Sequence, residues 1–120
     1  MRNDEKFPVI GIPTSVLNLS DSNFKAHISG HKYITALLEY SKCIAFQIPS
    51  MGKNYNYSYL VDHFDGILLT GGRANIEPHY YGGEPFPDGE LIDPERDSTV
   101  LELILKGIIA IGCKTLRLNE

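Results

Sequence analysis

The chain has no tryptophan, two cysteines, two methionines and no excess of positive charge. Each scarcity excludes a class of protein. Cys43 and Cys113 stand far apart in apolar settings, so they build no disulfide framework of the kind that staples small secreted domains. Neither has a Cys or His at zinc-ligand spacing, and His27, His31, His63 and His79 are equally dispersed. Eleven Lys and Arg against fifteen Asp and Glu leave a net charge of −4, with the basic residues scattered. Nucleic-acid binders carry a basic patch, and none is written here. No run approaches the roughly 20 apolar residues of a membrane span. The N-terminal MRNDEKFP is too polar for a signal peptide. The expectation is a cytoplasmic protein that engages neither nucleic acid nor membrane.

What is present is a globular composition, 42% hydrophobic over 120 residues, enough for a single domain spanning 1–120 with its own core. There is no internal repeat and no dividing linker. Pro8-Val9-Ile10-Gly11-Ile12-Pro13 reads as a first strand. The polar stretch from Thr14 to Ser29 reads as loop. A helix is predicted from about His31 to Lys42, with Ser29 as N-cap and Tyr33, Ile34, Leu37 and Leu38 on one face. Ile44 to Ile48 reads as a second strand and Tyr57 to His63 as a short helix. Ile67-Leu68-Leu69 is a pure apolar run that suits a strand buried on both faces, about Gly66 to Thr70. Ala74 to Pro94 holds too many prolines and glycines for a regular element. A third helix fits Glu95 to Lys106, closed by Gly107, and Ile108 to Ile111 reads as a fourth strand. This order predicts an α/β fold: a doubly wound parallel sheet of about four strands with crossover helices.

Four groups of residues bear on chemistry. Thr70-Gly71-Gly72 closes the third strand, and ligands of open α/β sheets bind at that end of the strands. Glycine N–H groups there can stabilise an oxyanion, or can simply form a tight exit turn. Cys113 follows the predicted fourth strand and precedes a predicted helix, where a helix N-terminus would favour the thiolate. Its alternative is a buried structural cysteine. Asn75 and His79 lie in the loop beyond the glycines, with His79 the best placed of the histidines for a general base. In Asp93-Pro94-Glu95-Arg96-Asp97, proline and acidic residues mark a helix start, and the spacing leaves open whether Arg96 pairs with Asp93, Asp97 or a carboxylate ligand.

The N-terminal PVIGIP, the segment HKYITALLE, the stretch DGILLTGGRANIEPHYYG and DPERD, in that order, resemble the class I glutamine amidotransferase-like superfamily. The resemblance extends to about Leu105 and is to the branch that includes γ-glutamyl-γ-aminobutyrate hydrolase. It implies a flavodoxin-like α/β fold and cleavage of a γ-glutamyl amide by a Cys-His-Glu triad, with no metal or cofactor. It implies Cys113 as nucleophile acting on a small γ-glutamyl amide substrate, with the oxyanion held between Gly71-Gly72 and the N–H of Lys114; Asn75 and His79, by their residue types in the loop beyond the strand, could contact a polar substrate. The segment AIGCKTLRLNE departs from the family's I-C-R-G elbow, with Lys114 in place of arginine and Thr115 in place of glycine. The family's triad histidine and glutamate fall beyond Glu120, so the resemblance implies a truncated domain with little or no activity as this chain. Such a fold would be incomplete, and its exposed sheet edge is expected to favour self-association. The alternatives are a non-catalytic remnant that binds a small ligand or partner, and a generic flavodoxin-like domain. The absence of G-x-G-x-x-G and of a P-loop weighs against a nucleotide site.

Overall fold

The β-branched run after Pro8 forms strand β1 (Val9–Pro13), which lies between two parallel neighbours. The computed structural model describes residues 6–19, 23–109 and 114–117. β4 (Ile44–Ile48) pairs with β1 from Val9↔Ile44 to Pro13↔Ile48, and β5 (Gly66–Leu69) pairs with its other side at Ile10↔Gly66 and Gly11↔Ile67. β6 (Lys114–Arg117) extends the sheet from β5, giving the order β4-β1-β5-β6. Helix α1 (His31–Tyr40) connects β1 to β4, α2 (Tyr57–Val61) precedes β5, and α3 (Pro94–Ile109) precedes β6.

Alternation along the strands divides the core in two. Ile10, Ile12 and Leu68 pack with Tyr33 and Leu37 of α1 on one face. Ile48 and Ile67 pack with Tyr57 and Val61 of α2 and Leu103 of α3 on the other. Helices on both faces of a parallel sheet make this an incomplete flavodoxin-like, doubly wound α/β fold. Gly11 faces the second layer, where a Cβ would collide with Ile48 and come within 2.9 Å of the Phe64 ring. Its missing side chain is what lets both pack across β1.

Three expectations are corrected. The polar stretch after Thr14 is not all loop: β2 (Ser15–Asn18) and β3 (Lys25–Ile28) form an antiparallel hairpin from Ser15↔Ile28 to Asn18↔Lys25. Strands this short carry too little alternation to read. The hairpin is also anchored from a distance, because Val16 N donates to Asp93 Oδ2 at 2.9 Å. Ser29 does not cap α1: Gly30 occupies that position and offers no side chain. Most consequentially, Ile108 and Ile109 belong to α3, and Gly107 lies buried inside that helix. A short apolar run fits strand and buried helix alike. Here the helix runs on through Gly107, which costs about 1 kcal/mol in a helix interior. Ala110 and Ile111 lie outside the described residues, and the next strand described is β6 from Lys114.

Candidate functional site

The strand order creates the site. The chain leaves β1 toward β4 on one side and returns across it to β5 on the other, so the connections diverge between β1 and β5. At such a switch point the loops leaving the C-terminal strand ends part and open a crevice. A cavity of about 580 Å³ occupies that position. The β2–β3 hairpin and the start of α1, both following β1, line one side, while Thr70, Gly71 and Gly72, following β5, line the other. Its volume falls in the range of small-molecule sites, roughly 300–1,000 Å³.

The segment DPERD holds the walls in place. Asp93 precedes α3 and accepts the Arg96 N–H at 3.1 Å through Oδ1, the geometry of an N-cap, with Pro94 opening the helix. Its second oxygen takes the Val16 N–H, so one carboxylate fixes both a helix start and the hairpin wall. Arg96 pairs with neither aspartate side chain: its Nη2 donates to the Thr70 carbonyl at 2.6 Å. That bond fixes the residue just before the glycine pair. A Cβ on Gly72 would stand 2.7 Å from Arg96 Nη1, so a side chain there would oblige the guanidinium to shift. Asp97 accepts the Glu77 N–H at 3.0 Å and thereby pins the loop beyond the turn. Burial raises the Asp97 pKa above its ordinary value, the Glu77 N–H opposes that shift, and the charges of Glu77 and Asp93 add to it.

Thr14, the residue after β1, is fully buried. Its Oγ1 accepts the Ser50 N–H at 3.0 Å and shares a 2.9 Å hydrogen bond with His27 Nδ1, while its carbonyl accepts Ser50 Oγ at 2.6 Å. This network ties β1, the end of β4 and the hairpin together. Gly71 and Gly72 donate to no protein acceptor among the described residues, so two backbone N–H groups beside the cavity remain available to a ligand oxygen. Among the described residues no group of three or more His, Cys, Asp or Glu side chains is placed to hold a metal ion. No helix there is long and apolar enough to cross a membrane.

The candidate residues from the sequence divide sharply. Gly71 and Gly72 line the cavity; Asn75 and His79 are exposed and do not. His79 stacks on Tyr80 with ring centroids 4.2 Å apart, and its Nε2 lies 3.9 Å from Glu77 Oε2. Cys113 lies outside the described residues. Lys114 stands on no strand-to-helix turn but opens β6, paired with Gly66. Gly66 is the far end of β5 from Gly71, five residues or about 16 Å along an extended chain. Sequence reasoning missed Lys32, Tyr33, Leu91 and Ile92, which the fold brings to the cavity. The adjacent apolar pair Leu91-Ile92 in a proline- and glycine-rich connection was the available signal.

Comparison with known proteins agrees with this architecture. The family model described as Peptidase C26 matches residues 8–110, which run from the start of β1 through α3. No curated protein matches the chain.

Proposed function

Since the chain belongs to the Peptidase C26 family, among the class I glutamine amidotransferase-like hydrolases, we propose that its cavity is the substrate site of a γ-glutamyl amide hydrolase, of the γ-glutamyl-γ-aminobutyrate hydrolase type. The observation that carries this reading is the glycine pair at the switch point, with free N–H groups on a cavity of metabolite size. In the proposed reaction the substrate carbonyl oxygen sits against the Gly71-Gly72 backbone. The Cys113 thiolate attacks the carbonyl carbon, the C–N bond breaks, and the amine leaves with a proton from a general acid. Water then cleaves the thioester, releasing glutamate and restoring the thiol. Developing charge on the oxygen makes the fixed N–H donors worth more in the transition state than in the ground state.

A second reading, a ligand-binding module without turnover, is favoured by one observation. Lys114, the neighbour of Cys113, is paired at the opposite end of β5 from the glycine pair. The two readings separate in one experiment. Calorimetry and amine release are measured with γ-glutamyl-γ-aminobutyrate on the wild type and on Cys113→Ala. Saturable binding with no amine released supports the module. Turnover abolished by Cys113→Ala supports the hydrolase. Turnover unaffected by that substitution removes the cysteine from the mechanism, and no binding at all removes the γ-glutamyl reading.

A further inference from the structure

Three exposed hydrophobic side chains from unconnected segments converge on the switch-point cavity. Ile28 ends β3, and Leu91 and Ile92 lie just before α3; they are 41%, 51% and 46% exposed, and all three line the opening. A lone exposed leucine is ordinary. Apolar side chains from segments some sixty positions apart, gathered on one concavity, mark a surface kept for a ligand. Two of the three charged side chains on the lining are basic. Lys32 lines the cavity with its Nζ 5.1 Å from the Tyr33 ring centroid, and Arg73 follows the glycine pair with no ion-pair partner among the described residues. The acid on the lining, Asp93, has both carboxylate oxygens committed to backbone N–H groups. The start of α1 adds positive potential on the same side, since Gly30 has no side chain to satisfy its first turn.

We infer that this cavity binds a ligand with an apolar body ending in a carboxylate, the body against Ile28, Leu91 and Ile92 and the anion held by Lys32 and Arg73. Resting on the proposed function, this portion is the amine side of the amide. The γ-glutamyl side carries its own amino and carboxylate groups and suits an apolar wall poorly. Leu91 and Ile92 are therefore specificity determinants, and amides whose amine portion carries no carboxylate are poor ligands.

The test uses the full chain and three simple probes, 4-phenylbutyrate, 4-phenylbutanamide and butyrate, with binding read by calorimetry. Phenylbutyrate is expected to bind about tenfold tighter than either the uncharged amide or the short acid. The double substitution Lys32→Ala with Arg73→Ala should bring the acid to the level of the amide and leave the amide unchanged. Leu91→Ser with Ile92→Ser should weaken acid and amide alike. All four positions are exposed, and thermal melts check that the variants stay folded. Equal affinity for acid and amide, or binding indifferent to these substitutions, overturns the inference. So does the absence of saturable binding of phenylbutyrate. The outcome is separable from the γ-glutamyl reading: γ-glutamyl-γ-aminobutyrate bound independently of Lys32 and Leu91 keeps that reading and sinks this one. Phenylbutyrate bound as described, with no γ-glutamyl compound bound, does the reverse.

Discussion

Asp97 is 1% exposed, has no ion-pair partner among the described residues, and feels the charges of Glu77 and Asp93 against that of Arg96. Its pKa is raised above 3.8, chiefly by burial. A carboxyl with a higher pKa folded than unfolded binds protons preferentially in the native state. Its contribution is fully present below the unfolded value and is lost as pH rises through the folded one. Wild type should therefore gain stability relative to Asp97→Asn as pH falls from neutrality toward 4, read by denaturant melts across a pH series. Asparagine keeps an acceptor for the Glu77 N–H, so the substitution isolates the charge. Gly72 makes a second prediction at this scale. Gly72→Ala shifts the Arg96 guanidinium against the Thr70 carbonyl and should cost about 0.5–1.5 kcal/mol, the worth of that hydrogen bond. Combined with Arg96→Ala, the loss should fall short of the sum of the single losses, because the obstruction has gone. Simple additivity in chemical denaturation would show that the two do not share one contact.

Among the elements, α3 organises the rest. Its N-cap, Asp93, holds the hairpin as well as the helix, so Asp93→Ala should cost about 2 kcal/mol. Amide exchange at Val16 should quicken more than exchange within β1, a difference that a general loss of stability would not produce. Further along α3, Thr99 is fully buried; its Oγ1 accepts the Gly52 N–H at 2.9 Å and lies 3.2 Å from the Tyr57 hydroxyl oxygen, to which it can donate. The single Tyr57 hydroxyl proton goes to the Gly52 carbonyl. Thr99→Val conserves shape but strands the Gly52 N–H, and a destabilisation of about 1–3 kcal/mol is expected in urea melts. The start of α3 was legible because proline after aspartate is local chemistry. Its end was not, because Ile108 to Ile111 suits a strand as well as a helix when read alone.

At the scale of the molecule, the sheet ends on β4, whose free edge carries Ile44 and Phe46 at 44% and 54% exposure. Both share a strand face with Ile48, which α2 and α3 cover, while the outer two stand beyond that cover. An apolar edge strand is a template for pairing with a second chain. We expect concentration-dependent association in sedimentation experiments, reduced by Phe46→Lys without loss of the folded state. A monomer at every concentration would show that the edge is adequately guarded.

The sequence alone determined the strands from Val9, Ile44 and Gly66, the helix from His31, the parallel class of the sheet and the glycine pair after β5. These follow from local terms: apolar period, β-branching, caps and breakers. Only the tertiary structure decided that residues 15–18 and 25–28 pair as a hairpin, that Arg96 serves the Thr70 carbonyl, and that Lys114 opens a strand at the far end from Gly71. It also decided that Ile28, Lys32, Arg73, Leu91 and Ile92 share one cavity. Each of these depends on a partner tens of residues away. A side chain's local pattern fixes what it favours in isolation, whereas the chain's crossing at β1 and β5 fixes what it meets.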